Sequence, residues 1–170
     1  MNSFTRALPA LLLSLVVSAA PALAAPVLDS ADSRAIIVTP LSLVQVDDLD
    51  FGSLVPSAVS GVVTIDANSG SQSAIGGVTA YGSAVSRRAY FVGAGTEGQP
   101  VSIALSAPPS LSDGAGNSMA VLALTLDGPA LRIIPADRVV HIYVGGILSV
   151  NANQAPGDYA GTFDMTVNYF

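Results

Sequence analysis

The sequence predicts an all-β protein, an immunoglobulin-like antiparallel sandwich of roughly seven to nine strands. Three observations carry that expectation. Apolar and polar residues alternate with period two in short runs. Clusters of Gly, Pro, Ser and Asn separate the runs, and no stretch shows a sustained helical period with capping residues. Antiparallel strands with one buried face read this way. A two-sheet sandwich buries those faces most economically, and a closed barrel is the alternative packing.

The first residues set the expected compartment. Met1–Arg6 carries one positive charge and no acid, an apolar run follows from Leu11 to Ala20, and Pro21-Ala22-Leu23-Ala24 ends it with small residues. That order is a secretory signal peptide, residues 1–24, cleaved after Ala24. The apolar run is too short to span a bilayer comfortably. Residues 25–33 read as a mobile polar leader and 34–170 as one sandwich domain, a length suited to a single core. The chain is therefore expected to be exported, to the periplasm or the cell surface.

Within the domain, Arg34–Thr39 reads as a strand that Pro40 interrupts, and Leu41–Val46 continues extended. Val59–Asp66 alternates with Val63 and Ile65 inward, and Ala67–Gly77 reads as a turn-rich linker. Ala89–Gly93 and Pro100–Leu105 are strands, with Phe91, Val101, Ile103 and Leu105 inward. Pro108-Pro109 and Asp113–Asn117 are loops. Ala120–Leu126 places Leu122, Leu124 and Leu126 on one face. Val139–Val150, the longest run, places Val140, Ile142, Val144, Leu148 and Val150 on one side. Asn151–Gly157 is a loop. In the closing run Tyr159, Phe163, Met165, Val167 and Tyr169 share a face, and Thr162, Asp164, Thr166 and Asn168 the other.

Composition narrows the function classes. The chain has no cysteine, so its core alone must hold it, and lipid attachment after the signal has no thiol to use. The six basic residues are all arginine and face twelve acids, a formal net charge of −6. That balance argues against nucleic acid, whose binding rests on phosphate neutralisation, and against a polybasic membrane patch. No later stretch reads as a transmembrane anchor.

The motifs that could carry chemistry lack their partners. Gly93-Ala94-Gly95-Thr96-Glu97-Gly98 spells a dinucleotide fingerprint. That chemistry needs a helix N-terminus after the glycines, whereas Gln99-Pro100 and a strand-like run follow, so the glycines read as a hairpin loop. His141, the only histidine, lies between Val140 and Ile142 and faces away from the apolar side. A triad or zinc site needs partners around it that no motif supplies. Asp47, Asp48 and Asp50 could offer oxygens to calcium, but their spacing matches no EF-hand loop and reads as a solvated turn. The expectation is a non-enzymatic protein with no catalytic residue, cofactor or metal.

One series of segments resembles a known family. It runs through Pro40-Leu41, Leu49-Asp50-Phe51-Gly52 and Gly61–Asp66, then Tyr143–Leu148 and Gln154–Phe163. Together these resemble the bacterial family called domain of unknown function 4402, which looks akin to pilin and spore-coat-U-like adhesin proteins. Gly157 is the fourteenth residue from the end and Tyr169 is penultimate, positions that are similar to those in chaperone–usher pilins. The resemblance implies a sandwich lacking its last strand, filled first by a periplasmic chaperone and later by the next subunit's N-terminal extension. Strand addition of that kind uses main-chain hydrogen bonds for affinity and alternate side chains for fit. It implies Gly157, Tyr159, Phe163, Met165, Val167 and Tyr169 as subunit-interaction residues. The donor would be Ala35–Thr39, through Ala35 and Ile37, because Asp29, Asp32 and Arg34 interrupt anything longer. The disulfide common in better-known pilins is absent.

The functional expectation is a pilin-like subunit or minor component of a fimbria-like surface assembly, with protein partners. The alternative is a self-complete monomeric sandwich that binds a ligand such as a glycan. A missing strand beside Tyr159–Tyr169 separates the two.

Overall fold

The computed structural model of the chain describes residues 32, 34–82, 86–106 and 110–170. The expected signal peptide, most of the leader, and Pro108-Pro109 lie outside the described residues. The chain divides into two units, residues 1–35 and residues 36–170, and every strand described below belongs to the second.

The described residues form eleven strands and no helix, and every ladder is antiparallel. The larger sheet contains β1 (Ser42–Asp47), β2 (Leu54–Ile65), β3 (Gln72–Ala80), β4 (Ala89–Ala94), β8 (Val121–Leu126) and β10 (Val139–Val150). Its order is β1-β4-β10-β2-β3, with β8 also paired to β10. The smaller sheet is β5 (Pro100–Ser106) between β9 (Leu131–Ile133) and β11 (Asp164–Tyr169). A short hairpin, β6 (Leu111–Ser112) with β7 (Ser118–Met119), stands apart.

β10 organises the larger sheet because its period-two pattern is unbroken over its length. Val140, Ile142, Val144, Leu148 and Val150 are all buried, as the alternation predicts. Residues 139–144 pair with β4 and residues 146–150 with β2. The handover falls at Gly145, where a Cβ would lie 2.2 Å from the Ile65 carbonyl oxygen. Only glycine lets the backbones approach that closely.

Two clusters form the core. One gathers Phe51, Val63, Ile65, Val78, Met119, Leu148 and Val150 under the β2–β3 half. The other gathers Ala89, Phe91, Ile103, Val140, Ile142 and Val144, and joins the two sheets face to face. Leu43 of β1 and Phe163, Met165 and Val167 of β11 pack on this second cluster. Strands β1 and β11 thus lie across from each other, each terminal in its own sheet. The result is the two-layer antiparallel β-sandwich that the patterning predicts.

Several elements differ from expectation. Eleven strands replace the expected seven to nine, the excess being short segments of two or three residues, β6, β7 and β9. Residues 34–39 form no strand; their ties to the sandwich gather at Thr39, whose amide donates to Thr96 Oγ1 at 2.7 Å and whose carbonyl accepts from the Tyr169 hydroxyl at 2.6 Å. Ala67–Gly77 is not a linker: the turn closes by Ser71 and β3 begins at Gln72. The strand hides because Ser73, Gly76 and Gly77 blur its alternation, while its pairing with β2 holds it in place.

Residues 95–99 are a corner between sheets rather than a hairpin, since β4 and β5 belong to different sheets. In β8 the register against β10 shifts between Ile147 and Leu148. This bulge turns Leu122 out, 58% exposed, while Val121, Leu124 and Leu126 pack inward. The last strand starts at Asp164, not Tyr159, because Ala160 turns aside to exchange two backbone hydrogen bonds with Ser112, at 2.9 and 3.0 Å.

Candidate functional site

β11 carries the most conspicuous incompleteness in the sandwich. Its register against β5 runs from Asp164↔Ser106 to Tyr169↔Val101 without a bulge. The Phe170 amide donates to the Pro100 carbonyl at 3.0 Å, and the Ile103 amide turns the opposite way, to Ala130 at 2.8 Å. Antiparallel pairs alternate between bonded and non-bonded positions. The even-numbered residues 164, 166, 168 and 170 therefore bond β5, and the amides and carbonyls of Met165, Val167 and Tyr169 point to the other edge. Among the described residues no strand pairs that edge.

The side chains of Met165 and Val167, with Phe163, point inward onto the core, yet these three and Tyr169 stay only half-buried. The face is apolar by sequence and unfinished by packing. Tyr169 is pinned at its tip, where its hydroxyl donates to the Thr39 carbonyl at 2.6 Å and accepts from the Thr96 amide at 2.8 Å.

Past Phe163 the opening widens into a cavity of about 1000 Å³. Its floor is core: Phe51, Phe91, Met119, Leu124, Leu148 and Val150. One wall is the segment 48–54 after β1, shaped where Asp50 Oδ1 accepts the Gly52 amide at 2.8 Å and Gln72 Nε2 donates to the Phe51 carbonyl at 2.7 Å. The other wall is the arm 154–163. The Tyr159 hydroxyl braces that arm, accepting from Gln154 Nε2 and donating to the Ala155 carbonyl, both at 2.8 Å. Charge is confined to three carboxylates, Asp48, Asp50 and Asp158.

The outer face of the larger sheet carries a stacked row. The Arg88 guanidinium lies 3.7 Å over the Tyr143 ring, which stacks on Tyr90 at 4.7 Å, which stacks on His141 at 5.9 Å. The Tyr90 hydroxyl meets His141 Nδ1 at 2.7 Å. Burial first, then its neighbour Tyr143, raises the Tyr90 phenol above its usual range. His141 is exposed, as its strand position predicts, and its one polar side-chain contact is a phenol, not a nucleophile or carboxylate. Asp47 is engaged by Arg87 at 3.0 Å. Among the described residues no three His, Asp or Glu side chains gather as a metal site.

The structure brings together most of the residues singled out from sequence. Phe163, Met165 and Val167 pack on the cluster that joins the sheets, Tyr159 packs on the cluster under the β2–β3 half, and the Tyr169 hydroxyl is bonded at Thr39. Gly157 sits in the arm, where a Cβ would lie 3.4 Å from the Asp113 Cβ on the neighbouring hairpin loop. Ala35 and Ile37 lie in no strand; Ile37 is 95% exposed. Sequence reasoning missed the cavity floor, Phe51, Met119 and Leu124. The long strand-free stretch after Val150 was the available signal that the second sheet is short on that side.

The family model described as domain of unknown function (DUF4402) matches residues 41–169, from the residue before β1 to the end of β11. No curated protein and no solved structure matches the chain.

Proposed function

The chain belongs to the family of domain of unknown function 4402, and from that premise we propose that it is an exported, pilin-like subunit that enters a surface assembly by accepting a strand. The observation that carries this reading is β11: a regular strand with an unpaired edge and a half-buried apolar face, opening into a core-lined cavity. Strand addition supplies what such a strand lacks, hydrogen-bond partners along the edge and side chains for the face. The partners are proteins, a periplasmic chaperone during export and assembly subunits afterwards.

The edge chemistry gives a specific test. Val167→Pro removes one amide that points to the open edge and none that bonds β5; proline is tolerated on the open side of an edge strand. The variant should fold and be exported yet fail to join high-mass material at the cell surface. Thr166→Pro, which removes a β5 bond, should instead destabilise the fold. Hydrogen exchange on the isolated chain gives the opposing result its form. If the Val167 amide is as protected as that of Thr166, the edge is already covered. A monomeric ligand-binding module, with the cavity as its site, would then replace this reading.

A further inference from the structure

The cavity past Phe163 has an excess of one kind of group. Asp48, Asp50 and Asp158 line it, all exposed carboxylates, and no arginine does. The neutral polar side chains around it are turned to the protein. Gln45 Nε2 donates to Asp48 Oδ1, Gln154 Nε2 donates to the Tyr159 hydroxyl, and that hydroxyl donates to the Ala155 carbonyl. Asp48 and Asp50 each accept through Oδ1 alone. Among the described residues, Oδ2 of each and both oxygens of Asp158 have no side-chain or backbone donor. A ligand that fits must therefore bring donors and positive charge. A carboxylate or phosphate ligand meets only like charge here, and a sugar brings acceptors as readily as donors.

The spacing and the floor set the form of that cation. Among the described residues no three acidic or histidine side chains gather as a metal site, so these carboxylates do not enclose a single ion. A cation carried on a larger body spans them. Phe51, Met119 and Leu124 present core surface to the cavity, and the Phe91 and Phe163 rings meet edge to face at 6.1 Å in its lining. Aromatic and thioether side chains suit an apolar group, and rings also attract a neighbouring cation. The volume of about 1000 Å³ is that of a small-molecule site.

We infer that this cavity binds an organic cation, with its ammonium or guanidinium group at Asp48, Asp50 and Asp158 and its apolar or aromatic body on the Phe51, Met119 and Leu124 floor. The site is separate from the strand-accepting edge, because Met165–Tyr169 contributes nothing to the cavity lining. It stands whether or not a strand docks at that edge.

The test titrates the purified chain at low salt with three probes of one shape, phenylbutylamine, phenylbutanol and phenylbutyrate, by calorimetry. The amine should bind roughly tenfold tighter than the alcohol, as two exposed ion pairs worth a factor of ~3 each would give, and the carboxylate most weakly. Asp48→Asn combined with Asp158→Asn changes exposed side chains only and should bring the amine down to the alcohol, leaving the alcohol unchanged. Glu97→Gln, which removes a carboxylate outside the cavity, and Val167→Pro, which acts on the strand edge, should both bind the amine as the wild type does. Equal affinity for amine and alcohol would overturn the charge assignment. Amine binding that survives in the double variant, or that is lost in Glu97→Gln, would overturn the location. Loss in Val167→Pro would overturn the separation from the strand edge. No binding by the amine would overturn the inference outright and leave strand acceptance standing.

Discussion

Ile142 and Leu124 are both leucine-sized residues of the larger sheet that point inward, and the structure gives them different fates on truncation. Ile142 is 0% exposed within the cluster that joins the sheets. Replacing it by alanine removes three carbons, at ~0.8 kcal/mol for each buried methylene. It also leaves an enclosed void, so the total should be ~3–4 kcal/mol. Leu124 is half-buried and lines the existing cavity of about 1000 Å³. Its truncation forfeits roughly half the transfer energy and encloses no new void, so ~1 kcal/mol is expected. For a domain of this size ~3 °C accompanies each kcal/mol, giving drops of ~10 °C and ~3 °C in thermal melts followed by circular dichroism. Urea unfolding should give the same ranking with unchanged m-values. Equal losses at the two positions would refute the reasoning. They would mean that the cavity is closed in solution and that Leu124 is ordinary core. With a strand bound in the groove, the Leu124→Ala penalty should rise toward that of Ile142→Ala, because only then is the site enclosed.

Three further outcomes follow from local geometry. Gly77→Ala places a Cβ 1.8 Å from the Val59 carbonyl oxygen, a backbone clash expected to cost ~2–3 kcal/mol in denaturant titrations. Tyr169→Phe removes the hydroxyl that serves both the Thr39 carbonyl and the Thr96 amide, and should lower stability by ~1–2 kcal/mol in the same assay. Hydrogen bonds from Ser69 hold the Asp66 carboxyl below its ordinary range, and those from Asn117 do the same for Asp113. The folded chain binds these protons less readily than the unfolded one. Their contribution is therefore present above the ordinary carboxylate value and lost as pH falls through the lower folded values. Asp66→Asn combined with Asp113→Asn should flatten the acid limb of the stability profile below the ordinary carboxylate value.

What the sequence disclosed followed the strength of its alternation. β10 and β11 were legible because apolar residues recur at every second position, with Gly146 the one gap in β10, which sets both register and buried face. β3 was not, because Gly76 takes φ 78° and Gly77 presses on Val59; a strand built on close backbone approach has no side-chain period to read. β8 misled through a bulge, since one extra residue moves Leu122 from the face of Leu124 to the other side. The candidate site was legible where it is strand and hidden where it is loop. Met165, Val167 and Tyr169 stand out by period. The contributions of Phe51 and Met119 depend on where the segment 48–54 and the β6–β7 hairpin fold in three dimensions, and no local pattern encodes that.

The sheet edges themselves argue that the opening at β11 differs from ordinary edge exposure. Edge strands invite unwanted pairing, and proteins blunt them with bulges, short length or irregular backbone. β1 carries a register shift between Gln45 and Asp47. β3 opposes one between Pro56 and Gly61 and contains a positive-φ glycine. β9 has three residues. β11 has six residues in continuous register, no proline, and a single charge at its first position. β8, paired to β10 alone, is broken by the bulge at Leu122. Among the edges of the described residues β11 offers a continuous row of amides and carbonyls, above inward side chains that are half-buried. A strand left unprotected solely for want of selection would not coincide with a gap in the core. The coincidence is what a docking strand requires, since hydrogen bonds along Met165–Tyr169 and burial against Phe163 and Leu124 are then gained in one event.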